Sequence, residues 1–402
     1  VPASLEAALP EVLKLEDAVR WALQNNPEIA ALRQQHGIAA AAVVIARTYP
    51  FNPVWTSKLF NVNGPPGITN RVAIEQRVDL QLEVRGQGLY RRQAACAGLS
   101  RTDWEIAFQE AALALRVIRA FNAVLYYEAK LSLGLQSVQL NEQTVDKVRK
   151  LTKGVTLQSS DLILARSEVD SSRALLGTAR ASLTKARQDL RRALGFTQES
   201  YAIEGRLDPP WLPAGETQTL IAEALDRRPD LHARQAGVTE ADARVRLAVA
   251  DRFGNPTLGP DYEYNETRDN FIGAQWVLPL PVLNTRRGEI LQREAELTRA
   301  AFDLRNNEVV IQQEVLAALE RLSNARLWVD TYRKEVIPNL DTRLREMENL
   351  LGKGEAPILS VIDIQRRLLK ARDGYLDWLY ELSQAQADLA AAVGDPGKAI
   401  SP

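Results

Sequence analysis

Along Ile290, Leu297, Leu304, Ile311, Ala318, Ala325 and Tyr332 a mostly apolar side chain returns every seven residues. A second track runs beside it through Ala301, Glu308, Val315, Leu322, Val329 and Val336. Steps that alternate between four and three put both tracks on one narrow stripe of a helix, the seam of a coiled coil. The same spacing links Leu99, Ile106, Leu113, Ala120 and Tyr127, beside Val117, Val124, Leu131, Val138 and Val145. Two further helices carry matching seams. Leu162, Val169, Leu176, Leu183 and Leu190 accompany the small residues Ala165, Ser172, Ala179, Ala186 and Ala193, and Val361, Leu368, Tyr375, Leu382 and Leu389 accompany Ile364, Ala371, Trp378, Ala385 and Ala392. A helix over 88–151 would run about 95 Å at 1.5 Å per residue. That outreaches a single globular core and predicts a fibre, a stalk or a tube.

The period changes from seven to two before each long helix. Over 71–82 the even positions Val72, Ile74, Val78, Leu80 and Leu82, with Gln76, alternate with Arg71, Ala73, Glu75, Arg77, Asp79 and Gln81. One face is apolar and the other charged, as in a strand with two different surroundings. Its partner is 54–63, through a turn at Gly64-Pro65-Pro66-Gly67. Later, Leu258, Pro260, Tyr262 and Tyr264 alternate with Gly259, Asp261, Glu263 and Asn265, and Ile272, Ala274, Trp276 and Leu278 follow the turn 266–270. Strands of about 9–11 residues suit a bilayer crossing. Trp55, Tyr262, Tyr264 and Trp276 suit the membrane interface. Alternation alone equally fits two soluble hairpins packed on a helical core. Four strands do not close a membrane barrel, which needs about eight or more, so spanning hairpins imply pooling between copies.

The order of elements occurs twice. Ala22-Leu23-Gln24-Asn25-Asn26-Pro27 resembles Ala224-Leu225-Asp226-Arg227-Arg228-Pro229, and Asn52-Pro53, Gly88, Lys153-Gly154 and Ala193-Leu194-Gly195 recur as Asn255-Pro256, Gly288, Lys353-Gly354 and Ala392-Val393-Gly394. The offset stays at about 200 residues throughout, the mark of an internal duplication. The first repeat is 1–195: helix, β-hairpin 53–82, long helix, tip turn 152–160, helix. A linker over 196–216 contains Pro209, Pro210 and Pro213. The second repeat is 217–402: helix, β-hairpin 257–282, long helix, tip turn 352–359, helix. The fold class is therefore mainly α with a small β part.

Composition narrows function more than fold. A formal net charge of -1 over 402 residues argues against a broad nucleic-acid footprint. The single cysteine, Cys96, precludes an intramolecular disulfide. The two histidines, His36 and His232, stand apart in helical patterns, so solvent-facing or packing roles are expected and no His/Cys metal spacing occurs. The longest continuous apolar run, Ile38–Ala46, is shorter than the ~20 residues of a spanning helix. Nucleophile-elbow and phosphate-loop motifs are missing; Gly86-Gln87-Gly88 lacks the rest of a dinucleotide fingerprint. No enzyme, catalytic residue, metal site or cofactor is expected.

With these features together, the chain resembles the outer membrane efflux (TolC-like) family over nearly its whole length. Leu278-Pro279-Leu280-Pro281-Val282-Leu283-Asn284 followed by Arg287-Gly288-Glu289-Ile290 is similar to the family's strand-to-helix junction. Glu75-Gln76, Gly88 and Arg91-Arg92 are similar to the first-half counterpart in its heavy-metal (cation) efflux branch. The resemblance implies a homotrimer whose twelve strands form an outer-membrane β-barrel and whose helices form a periplasmic tunnel, an α-barrel. It implies a passive exit duct, with a periplasmic adaptor and an inner-membrane pump as partners. Asp363 matches the later of two acidic positions that narrow the family's tunnel entrance, Ser360 stands at the earlier, and Asp161 falls at or beside the first-repeat equivalent. For each Asp, a helix-start residue favoured by the helix dipole is the competing reading. Gly154 and Gly354 match tip residues where adaptors dock, with Lys153 and Lys353 replacing the family's preceding apolar residue. Their competing reading is a helix C-cap. Some relatives carry an acylated N-terminal cysteine; with Val1-Pro2 here and Cys96 inside a predicted helix, no lipid anchor is expected. The alternative function is a soluble coiled-coil scaffold or periplasmic adaptor without a membrane barrel.

Overall fold

The computed structural model describes residues 12–64, 71–152, 159–196, 202–207, 216–353 and 355–399. In chain order the elements are β1 (Val12–Leu13), α1 (Leu15–Asn25), α2 (Pro27–Arg47), β2 (Val54–Val62), β3 (Arg71–Gln81), α3 (Gln87–Thr152) and α4 (Ser159–Leu194). Then come β4 (Ala202–Ile203), α5 (Thr217–Arg227), α6 (Pro229–Ala250), β5 (Thr257–Tyr264), β6 (Asn270–Val277), α7 (Arg287–Thr331), α8 (Ile337–Gly352) and α9 (Ile358–Ala392). The helix–hairpin–helix order therefore recurs. The compact units do not follow the two sequence halves. One gathers residues 1–32, 107–228 and 309–402; the other gathers 33–106 and 229–308.

The first unit is helical, and its core is the heptad seam. Leu113, Val117, Ile118, Phe121 and Val124 of α3 bury against Leu183, Ala186, Leu190, Ala193 and Leu194 of α4, with Leu13, Val19 and Ile29 beside them. On α7 the buried residues are Ile311, Val315, Ala318, Leu322, Ala325 and Val329, one unbroken run of four-three steps. That run then slips. A π turn, Tyr332–Val336, separates α7 from α8, and the Ile337 N–H donates to the carbonyl of Tyr332, five residues back. Beyond it Ile337, Leu340, Leu344, Met347 and Leu351 face inward, one position later than the track through Val336 would place them. A π turn accommodates one extra residue without breaking the helix. Pro338, which has no N–H to donate, lies directly after it. The second long helix is thus interrupted where the first, 66 residues long, is not.

Both repeats close on the same lock. Gly195 follows α4 at φ +81°, and a Cβ there would lie 2.9 Å from Asn26 Cα and Pro27 Cδ. Gly394 follows α9 at φ +84°, and its Cβ would lie 3.0 Å from Arg228 Cγ and 3.2 Å from Arg228 N. A left-handed glycine ending each returning helix lets the chain press onto the junction between the repeat's first two helices. Asn26 secures the first lock by donating from Nδ2 to the Ala193 carbonyl at 2.8 Å and accepting the Glu28 N–H at 2.8 Å. A two-residue parallel ladder, β1 with β4, completes this unit.

The second unit is built on a four-stranded antiparallel sheet in the order β2-β3-β5-β6. Register fixes its faces. Trp55, Leu59, Val72, Ile74, Val78, Leu80, Leu258, Pro260, Tyr262, Tyr264, Ile272 and Trp276 share one face. The opposite face carries Lys58, Arg71, Glu75, Arg77, Asp79, Asp261 and Glu263. The predicted alternation therefore extends across all four strands. α2, at the start of this unit, averages a hydropathy of 1.3 over a window long enough to cross a membrane, although the polar stretch 33–36 interrupts its run of apolar residues. The continuous run alone had not met that length.

Candidate functional site

In the helical unit, the end nearest the two tip turns is held by a small apolar cluster. Val145 and Val148 of α3, Ala165 and Val169 of α4, and Ile358 and Ile362 of α9 bury together. Next to it, buried polar side chains are paired: Asn141 Nδ2 donates to Ser172 Oγ at 2.6 Å and Thr144 Oγ1 to Gln365 Oε1 at 3.2 Å. α9 begins after Pro357, whose carbonyl accepts the Ser360 N–H at 3.1 Å. Asp363 sits in the second turn, beyond the first-turn reach of the helix dipole. Its carboxylate instead accepts from Arg367 Nε at 2.8 Å, four residues on. Asp363 is thus half of an acid–base pair. Lys353 is exposed and its N–H closes α8 on the carbonyls of Asn349 and Leu350, both at 3.2 Å. Lys153, Gly154 and Gly354 lie outside the described residues, as does the side chain of Asp161.

A lattice of ions that sequence reading missed ties α3 to α9 and α7. Lys130 Nζ lies 2.6 Å from Asp373 and 2.7 Å from Asp377. Asp377 also accepts from the Tyr126 hydroxyl, and Tyr126 stacks on Tyr380 with centroids 4.5 Å apart. Asp388 bridges Arg119 and Arg321, and Arg321 pairs again with Glu381. Burial, reinforced by the bond to Asp377, pushes the Tyr126 phenol well above its usual range; burial raises Tyr380 as well. The spacing of Asp373, Asp377 and Glu381 at four residues was the available signal. A cavity of about 540 Å³ opens beside the lattice, lined by Tyr126, Lys130, Asn141, Glu168, Ser172 and Asp373 among others. Among the described residues, no group of three or more His, Cys, Asp or Glu side chains is placed to hold a metal ion.

In the sheet unit the four singled-out aromatics fall in two tiers on the apolar face. Trp55 and Trp276 sit on the two edge strands at the end where the strands meet the helices, each 70% exposed. Tyr262 and Tyr264 lie toward the β5–β6 turn. Trp55 Nε1 donates to Gln76 Oε1 at 2.8 Å, and Gln76 Nε2 donates to Ser57 Oγ at 2.6 Å. The one polar residue of that β3 face is therefore satisfied sideways. The charged face pairs internally: Lys58 with Glu75 at 2.9 Å, Arg77 with Glu75 at 3.0 Å and with Asp261 at 3.7 Å. Among the described residues β2 and β6 each leave one edge without a strand partner. The two histidines prove to be tied down: His36 Nδ1 lies 2.6 Å from Asp103, and His232 stacks on Trp104 at 4.5 Å.

Comparison with known proteins adds four findings. Residues 220–395 match the model of the family described as outer membrane efflux protein. The cobalt-zinc-cadmium resistance protein CzcC of Cupriavidus metallidurans is 23% identical over 391 residues, covering 97% of this chain and 91% of CzcC. Crystal structures of CusC superpose with a TM-score of 0.81 at 18% identity over 95% of this chain and 92% of CusC. The open state of the Neisseria gonorrhoeae MtrE outer membrane channel gives 0.78 at 18% identity over 96% and 91%. At such identities the two superpositions establish a shared fold.

Proposed function

From the match of residues 220–395 to the outer membrane efflux protein family and the likeness to CzcC over most of the chain, we propose that this chain is a member of that family and forms the outer-membrane duct of a tripartite efflux system. It is a passive exit rather than an enzyme: ions or small molecules handed on by an inner-membrane pump leave the cell through it. One observation carries this reading. A four-stranded sheet with an apolar outer face, a charged inner face and two open edges is incomplete as a soluble element, because exposed edges invite pairing and an exposed apolar face invites lipid or protein. Three copies joined edge to edge give a twelve-stranded barrel with its apolar face to lipid and its ion-paired face to water. Trp55 and Trp276 then mark the periplasmic interface, and Tyr262 and Tyr264 lie on the lipid side nearer the outside. The long helices of the two repeats, 1–195 and 217–402, supply six related units for a periplasmic tunnel.

The periplasmic adaptor docks at the tip turns, around Lys153, Gly154, Lys353 and Gly354. The entrance lies at Asp161, Ser360 and Asp363. There Arg367 cancels much of the charge of Asp363, so three copies form a ring of paired charges instead of a bare acidic ring. CzcC bears a cobalt, zinc and cadmium resistance name, and divalent metal cations are the cargo we infer for this chain. Selectivity then rests with the pump, since the described residues offer no metal-ligand cluster. The test is extraction followed by native mass measurement in detergent. A protein released only by detergent, with the mass of a trimer and a conductance in planar bilayers, is expected. Release by salt alone, as a monomer, would return the chain to the soluble-scaffold reading.

A further inference from the structure

Two apolar surfaces of the sheet unit find no use within one copy. The first is the segment after β6, where Leu278, Leu280, Val282 and Leu283 are all exposed and Leu283 is 100% exposed. The second is the outward face of α2. Ile38, Ala42 and Ile45 lie on it at helical spacing, and with Ala94, Ala95 and Leu99 of α3 they line an open groove of about 580 Å³. Ile38 and Ile45 are 72% and 71% exposed, while Val43 and Ala46 on the adjoining face are buried against their own body. On the side toward α3, His36 bonds Asp103, while Val44 on the far flank is also exposed.

Sheet topology says what meets what. β2 and β6 are the edges, and the alternation of direction makes the end of β6 and the start of β2 leave the sheet at the same side. When the β6 edge of one copy pairs antiparallel with the β2 edge of the next, the strap after Val277 emerges beside the chain that leads from Arg47 into Val54. The exposed C-terminal half of α2 is what lies there. We propose that the strap 278–283 of each copy seats its Leu280, Val282 and Leu283 side chains in the α2–α3 groove of the neighbouring copy, clasping the ring below the barrel. Pro279 and Pro281 fit this role, because they hold the strap extended and withhold two N–H donors that would otherwise stand unpaired in an apolar contact. The clasp is a feature of the duct reading and rests on it.

The experiment uses the full chain with Cys96→Ser. Ile45→Cys chains and Leu280→Cys chains are co-expressed, and the detergent-extracted protein is treated with a short bis-maleimide. Covalent dimers are expected from the mixture and neither variant expressed alone should give them, since only an inter-copy contact joins position 45 of one chain to 280 of another. A native trimer without cross-linked dimers overturns the clasp and leaves the duct standing. A native monomer overturns the duct and the clasp with it. Exclusive reaction of Ile45→Cys with a lipid-phase maleimide would assign α2 to lipid and also overturn the clasp. Because Leu280→Asp alone can fail by misfolding, it is paired with Ile45→Lys: the single variant should lose most of the trimer and the double variant should recover it, and a double variant no better than the single one counts against the contact.

Discussion

The one-residue slip between α7 and α8 makes a sharp prediction. Removing one residue from the π turn should restore a continuous heptad, because Ile337, Leu340, Leu344, Met347 and Leu351 already stand one position late. Deleting Lys334 removes only its exposed pair with Asp330, worth well under about 1 kcal/mol. It also forces Pro338 into an uninterrupted helix, which costs about 3 kcal/mol through the lost donor and the ring clash. The deletion combined with Pro338→Ala should therefore be near neutral, within about 1 kcal/mol. The same deletion in α3 has no slip to absorb it. Deleting exposed Gln136 would turn the rest of the helix by about 100°. Val145 and Val148 would leave their core, at about 1.5–3 kcal/mol each. The buried bonds Asn141–Ser172 and Thr144–Gln365 would be lost at about 1 kcal/mol each. The α3 deletion should thus cost about 5 kcal/mol or more. Thermal melts of the detergent-solubilised protein, followed by circular dichroism together with native mass, measure both. Equal losses from the two deletions would refute the assignment of the π turn as a register device.

Gly195→Ala meets backbone at 2.9 Å and a left-handed φ, so it should cost about 2–4 kcal/mol; Gly394→Ala, which meets the movable Cγ of Arg228 first, should cost less, and the order of their melting temperatures checks this. At the proposed entrance, Arg367→Gln uncovers the Asp363 carboxylate and should strengthen divalent-cation block in planar bilayers, while Asp363→Asn should weaken it; block that ignores both changes removes the pair from the pore. Burial raises the Asp251 carboxyl above its usual value, so the folded state holds its proton more tightly than the unfolded state does, and its contribution to stability is present in acid and lost as pH rises through the folded pKa. Asp251→Asn should accordingly raise the melting temperature at neutral pH, with the gain fading as the medium is acidified into the carboxylate range.

Much of this was legible because period reports environment. The seams through Val315 and Leu322, or Leu183 and Leu190, are buried as the heptads require, and the alternation through Val72, Ile74 and Val78 marks one face of a real sheet. The slip at 332–336 was written in the same letters: Leu340, Leu344 and Met347 are apolar where a continued track would give Asn339, Arg343 and Glu346. A track followed only as far as Val336 ends just before the change shows. The Asp363–Arg367 pair stood at an i,i+4 spacing and was equally readable. Of the α3–α9 lattice only the acidic row Asp373, Asp377 and Glu381 could be read, since Lys130 and Asp377 are far apart in sequence and only helix packing decides that they meet. The ladder of β1 with β4 escaped for another reason. Two residues carry no period.

The two repeats are alike where they must hold and unlike where a duct has to open. Each ends its returning helix on a left-handed glycine against an X–Pro junction, and that lock would be as useful in a static bundle. The difference is confined to the second long helix and its return. There the π turn packs beside Gly374, whose missing side chain leaves room for Tyr332, with the Tyr332 hydroxyl 3.3 Å from where a Cβ would lie. Trp328 stacks on Trp378 one turn before it. Below that point α8 has no fully buried side chain, whereas the matching stretch of α3 buries Val145 and Val148. Fewer buried contacts mean a lower free energy of local rearrangement. α8 is therefore the softer element, whereas α9 stays held to α3 by Ile358 and Ile362 beside Val145 and Val148 and by Asp373 and Asp377 on Lys130. An adaptor at the proposed tip would displace α8 first, flexing at the π turn.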